Sequence, residues 1–121
     1  MKKKVLGLIG TLEIELEGKD DIVFIILSGQ IDSYTSEEII KITDEHINKG
    51  NLKVVIDLTD IDYLDSSGLS ALISAKIRLS KRNGNLRLAG LNEKTKRVFD
   101  LANLNQIFDI YKTRDAATEG F

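Results

Sequence analysis

The chain has 121 residues, 42% of them hydrophobic and 30% charged, with a formal net charge of −2. Such a chain makes one globular domain with a continuous core, and its balanced charge gives no electrostatic footprint for nucleic acid. There is no cysteine and a single histidine, His46, which excludes disulfides, thiol chemistry and a multi-histidine metal site.

In chain order, Met1 to Gly10 opens with three lysines and an apolar run too short for an export signal, with no small-residue cleavage site before Glu13. It reads as an added strand or a flexible leader ahead of a core over 12–117, and the chain reads as cytoplasmic. Leu12 to Glu17 alternates apolar and acidic residues, and Ile22 to Leu27 is more continuously apolar. With the turn signal Gly18-Lys19-Asp20-Asp21 between them, they predict an antiparallel hairpin, its first strand at the sheet edge.

Thr35-Ser36-Glu37-Glu38 matches a capping box, with Thr35 as N-cap and Glu38 reaching back, and Gly50 stops the helix that follows. Lys53 to Leu58 predicts a third strand, followed by an acidic loop. A second helix is expected from about Ser67 to Arg82, with Leu69, Leu72, Ile73, Lys76 and Ile77 at helical spacing. Leu86 to Ala89 predicts a fourth strand. Glu93 to Ala102 predicts a third helix with Val98, Leu101 and Ala102 inward. Ile107 to Tyr111 predicts a fifth strand, and the tail from Thr113 one or two helical turns. The sum is a single α/β domain: a mixed sheet of about five strands with an N-terminal antiparallel hairpin, and three to four helices mainly on one face.

The segment Asp57-Leu58-Thr59-Asp60-Ile61-Asp62-Tyr63-Leu64-Asp65-Ser66-Ser67-Gly68-Leu69 carries the most information. It puts two hydroxyls and a glycine at a helix N-terminus, where free N–H groups and the helix dipole favour an anion. Asp65 or Ser66 can cap that helix; a hydroxyl there can equally accept a phosphate. Gly68 fits either close approach by another protein or close helix–strand packing. Asp32 and Asp65 each follow an apolar strand, so parallel neighbouring strands bring both carboxylates to one end of the sheet. Asp32→Ala is then expected to behave as a surface change in stability, within about 1 kcal/mol. No histidine, phosphate-cradling glycine loop or activated nucleophile converges on these acids, so the chain is read as a non-enzyme without metal or cofactor. Asp57 ends a Val-Val-Ile strand like a receiver phosphoacceptor, but Asp20-Asp21 lie at the wrong end of the sheet for the acidic pair a receiver needs. Lys94, Lys96 and Arg97 read as a solvated helix face.

At these residues the chain resembles the bacterial anti-sigma factor antagonists, stand-alone members of the STAS (sulphate transporter and anti-sigma antagonist) family. Gly29-Gln30-Ile31-Asp32-Ser33-Tyr34-Thr35 resembles the family's stretch before its first helix. Tyr63-Leu64-Asp65-Ser66-Ser67-Gly68-Leu69 resembles its phosphorylation loop, and Lys94 to Phe99 through Ile107-Phe108 its C-terminal helix and strand. The resemblance implies a partner switch. The unphosphorylated chain binds an anti-sigma factor that is also a serine kinase of the histidine-kinase-like ATPase type, phosphorylation of Ser66 releases it, and a PP2C-type phosphatase restores it. The partner-binding positions expected are Asp32, Ser33, Tyr34, Asp65, Ser67 and Gly68, on a monomer or weak dimer with no nucleic-acid or membrane contact. The alternative is an accessory STAS domain of a lipid or anion transporter, which needs no phosphorylatable serine.

Overall fold

The computed structural model describes residues 2–121. Its elements are β1 (Lys2–Leu6), β2 (Thr11–Lys19), β3 (Ile22–Ile31), α1 (Thr35–Asn48), β4 (Lys53–Leu64), α2 (Ser66–Ser80), β5 (Asn85–Ala89), α3 (Glu93–Leu101), β6 (Asp109–Tyr111) and α4 (Arg114–Thr118). The strands form one six-stranded sheet in sequence order. β1, β2 and β3 pair antiparallel, and β3 to β6 pair parallel, with α1, α2 and α3 as the crossovers. No helix among the described residues is long and apolar enough to cross a membrane.

Strand alternation separates two apolar layers. On one face Ile25, Leu27, Val54 and Ile56 pack under Ile39, Ile42 and Ile47 of α1, Leu72 and Leu79 of α2, and Phe99 of α3. On the other, Ile22, Phe24, Val55 and Ala89 form a smaller cluster with Ala117 of α4. Three of the four helices therefore share a face.

Five local expectations change, while Gly50 ends α1 as expected. Leu12 and Ile14 are buried between exposed or half-exposed acids as the alternation implied, but β2 is not an edge: β1 pairs along it from Leu6↔Thr11 to Lys2↔Glu15. At the start of α1, Thr35 is the first helical residue and Glu38 accepts from Lys3 Nζ at 2.9 Å instead of reaching back. At its end, Gly50 (φ 87°) and Asn51 donate to Ile47 O and His46 O, a Schellman closure. β4 is a 12-residue strand that absorbs the whole expected acidic loop. Two register shifts against β3 each insert one extra residue into β4, so that Ile61 pairs with Gly29 and Leu64 with Ile31. The stripe that α2 buries is Gly68, Ala71, Leu72, Ala75 and Leu79, leaving Ile77 exposed. In α3 Leu101 points to solvent, and Phe99 is buried against Phe108, ring centroids 5.6 Å apart.

Candidate functional site

A single residue, Asp65, separates β4 from α2. Its backbone is extended, and its carboxylate Oδ1 accepts from the amides of Ser67 (2.9 Å) and Gly68 (3.3 Å). Asp65 is therefore the N-cap, which leaves Ser66 as the first residue of the helix with an exposed side chain. Ser67 is half-buried and contributes its amide to the cap. Gly68 is buried. A Cβ there would collide with Leu64 Cδ1 and lie 2.7 Å from Ile31 Cγ2, so close helix–strand packing accounts for the glycine.

Ile31 and Leu64 pair across β3 and β4, and Asp65 N donates to Ile31 O at 3.3 Å, so Asp32 and Asp65 leave adjacent strands at one end of the sheet. The expected juxtaposition of the two loops is present, but Asp32 does not offer a free carboxylate. It is 1% exposed. Oδ1 accepts from the amides of Tyr34 (2.8 Å) and Thr35 (3.1 Å), and Oδ2 from those of Leu8 (2.7 Å) and Ile9 (3.1 Å). Thr35 Oγ1 accepts from Asp32 N at 2.9 Å and donates to Gln30 O at 3.0 Å. Burial alone raises the pKa of this carboxyl; the four amides outweigh it and hold the group below its ordinary value of 3.8. Asp32 thus starts α1 and ties the β1–β2 loop to it. Ser33 and Tyr34 are the exposed residues of that junction, Tyr34 at 60%.

Asp57 faces away from this end, on the α4 side of the sheet. It accepts from Thr59 Oγ1 at 2.6 Å and from Arg114 Nε at 3.0 Å, an anchor for α4 instead of a phosphoacceptor. His46 is half-buried with Nδ1 3.1 Å from Asn51 Nδ2; burial and then Lys49 push its imidazole below the usual range, against Glu45.

Two features of this end were not marked in the sequence, and a third, Tyr63, entered only within the loop segment. Leu8 and Ile9 stand in solvent beside the Asp32 loop, and Tyr63 is exposed opposite Gln30. Asn92 caps α3 and donates through Nδ2 to Thr59 O and Ile61 O, holding the far side of β4 where β5 has ended. Gly7 and Gly10 flanking an apolar pair, followed by strand alternation, were the one available signal for the Leu8–Ile9 turn.

The arrangement presents an exposed hydroxyl in the first turn of a helix, beside a capping carboxylate, on a rigid strand–helix elbow.

The family model for the STAS domain matches residues 13–117. The chain is 32% identical over 100 residues to the anti-sigma-B factor antagonist of Listeria monocytogenes, covering 82% of this chain and 88% of that protein. A crystal structure of a Thermotoga maritima protein superposes with a TM-score of 0.83 at 30% identity, covering 88% of this chain and 92% of the other. The Bacillus cell fate determinant SpoIIAA in its phosphorylated form shares the fold, with a TM-score of 0.70 at 22% identity over 86% of this chain and 95% of that one. With the family model covering residues 13–117, most of the sequence, and a relative 32% identical over 82% of it, the chain belongs to the STAS domain family.

Proposed function

We propose that this protein is an anti-sigma factor antagonist whose switch is phosphorylation of Ser66. The observation that carries this reading is the exposed Ser66 side chain at the first position of α2, with Asp65 already occupying the cap. The kinship with an anti-sigma-B factor antagonist supports it. The unphosphorylated chain binds an anti-sigma factor that is also a serine kinase of the histidine-kinase-like ATPase type, in the cytoplasm, as a monomer or weak dimer. A PP2C-type phosphatase reverses the modification.

The physics of the elbow suits such a switch. A phosphate adds about −1.5 to −2 charge. The helix dipole favours it by roughly 0.3–1 kcal/mol, so the domain stays folded. Asp65 beside it opposes it and concentrates negative potential on the docking face, where an unmatched charge costs several kcal/mol of affinity. A loss of about 3 kcal/mol already weakens binding more than a hundredfold. Ser33, Tyr34 and Ser67 are the contact residues of this face. Asp32, Asp65 and Gly68 act by shaping it.

The test is incubation of the purified chain with its anti-sigma factor kinase and ATP, followed by phosphopeptide mapping and binding measurements. One phosphate on Ser66 with loss of kinase affinity is expected. A phosphate on Ser67, Ser70 or Thr59, or undiminished affinity after modification, contradicts the reading.

A further inference from the structure

Five of the large exposed hydrophobic side chains, Leu6, Leu8, Ile9, Tyr34 and Tyr63, belong to one end of the sheet. β1 runs parallel to β3 and β4, because each is separated from the next by antiparallel β2 or by a parallel pairing; Leu6, Gln30 and Tyr63 therefore lie at the same end as Ser66. Single exposed leucines are ordinary on a protein surface, whereas five large apolar side chains at one end of a sheet are a concentration of apolar surface.

The turn that carries Leu8 and Ile9 is built, not loose. Gly7 N donates to Gly10 O at 2.7 Å, and the next two amides both donate to Asp32 Oδ2. Gly7 passes so close to α1 that a Cβ would lie 2.6 Å from Asp32 Oδ2 and 2.8 Å from Thr35 Cγ2. A buried carboxylate thus fixes a turn whose two aliphatic side chains remain 62% and 58% exposed. Nothing in the core requires them there, since their backbone amides, not their side chains, make the attachment. The match to the family model begins at residue 13, just after this turn.

We propose that Leu8 and Ile9 form a pinned hydrophobic anchor with which this chain selects its anti-sigma factor. The proposal rests on the partner-switch reading, and its occupant is the anti-sigma factor surface that faces Ser66. Continuity decides this: the anchor joins Asp32, whose neighbour Ile31 accepts from Asp65 N, one residue before Ser66. Asp60 and Asp62 are exposed on β4 near Tyr63, but Lys2 lines the same groove as Asp60, and Asp62 already accepts from Gln30, so the surface beside the anchor is of mixed charge. The matching surface on the anti-sigma factor is an apolar pocket that takes both side chains.

The probes are the purified histidine-kinase-like anti-sigma factors of the source organism, titrated against wild type and a Leu8→Ser, Ile9→Ser double variant. The double variant is expected to melt like wild type and to bind the selected kinase at least about tenfold more weakly. At saturating kinase it should still take one phosphate on Ser66, so that the loss lies in KM and not in kcat. Should the serine pair fail to fold, Leu8→Ala with Ile9→Ala carries the same measurement. Equal binding by wild type and variant overturns the anchor and leaves the switch intact. A wild-type dimer in sedimentation that the double variant abolishes also overturns it, making a second copy the occupant. Wild type that neither binds a kinase nor gains a phosphate overturns the switch, and the anchor with it.

Discussion

The amide of Asp65 donates to the carbonyl of Ile31 at 3.3 Å, which fastens the residue between β4 and α2 to the last residue of β3. On one side of that bond stands the Ser66 elbow, and on the other the Asp32 loop with its grip on α1 and the β1–β2 turn. The two loops therefore form one framework, in which Asp65 and Asp32 each satisfy amides that would otherwise have no partner.

Asp32→Ala is expected to destabilise the fold by about 3 kcal/mol, because it strands amides at a buried site. The urea midpoint reads this, and a change under about 1 kcal/mol would return Asp32 to the status of a surface acid. The pH dependence follows from the lowered pKa. A depressed carboxyl contributes stability in full above its ordinary value of 3.8, and that contribution is lost as pH falls through the lower folded value. The stability gap between wild type and Asp32→Asn should therefore narrow on acidification below that range. Any affinity loss in Asp32→Ala comes from releasing Leu8, Ile9 and Tyr34, so it should be insensitive to salt.

Ser66→Asp should fold normally, within about 1 kcal/mol of wild type, since an acid in a first helical turn is favourable and Asp65 only partly offsets it. Its affinity for the anti-sigma factor should fall at least about tenfold, a partial effect because one carboxylate imitates a phosphate poorly. Ser66→Ala should bind like wild type and resist inactivation by ATP. Calorimetric titration with all three proteins decides it; tight binding by folded Ser66→Asp counts against the switch.

Gly68→Ala offers a test of packing. Alanine gains up to about 1 kcal/mol of helix propensity. Its methyl group would strike Leu64 and press on Ile31, and overpacking of this sort costs about 1–3 kcal/mol. A net loss of thermal stability is expected, and a more stable variant would mean that α2 can shift outward freely.

Arg87 holds the C-terminal segment. Its guanidinium donates to Ala117 O (3.1 Å), Glu119 O (2.7 Å) and Gly120 O (3.3 Å), and its Cζ lies 4.2 Å from the centroid of the Phe121 ring and 5.2 Å from that of Tyr111. Arg87→Ala should loosen residues 114–121 and cost about 2 kcal/mol. Hydrogen exchange should quicken at Ala117, whose amide donates to Thr113 O, while α2 amides stay protected.

Much of the architecture could be read in the sequence because most elements keep their own periodicity. Leu12 and Ile14 alternate cleanly with acids, Gly50 marks a helix end, and Val54-Val55-Ile56 is a buried strand. β4 beyond Leu58 was hidden by its register shifts: the extra residues break the period of two, and Ile61 and Leu64 face inward three positions apart. Leu101 was misplaced because a short helix with one buried aromatic needs no wide apolar stripe. At the site, a capped helix start at Asp65–Ser66 follows from local chemistry, although only the structure assigns the cap to Asp65. The burial of Asp32 does not, since its partners Leu8 and Ile9 lie 24 and 23 residues away.

The passage from β4 to α2 through one residue carries a consequence for quality control. On the proposed switch, a kinase acting on Ser66 would meet a serine whose presentation exists only when β3 and β4 are paired and the Asp65 cap is closed. A peptide spanning 57–72 has neither, and a helix so short does not persist alone in water. Nascent, truncated or heat-damaged copies would thus be invisible to the enzyme, and every phosphate on this residue would certify a chain that had finished folding.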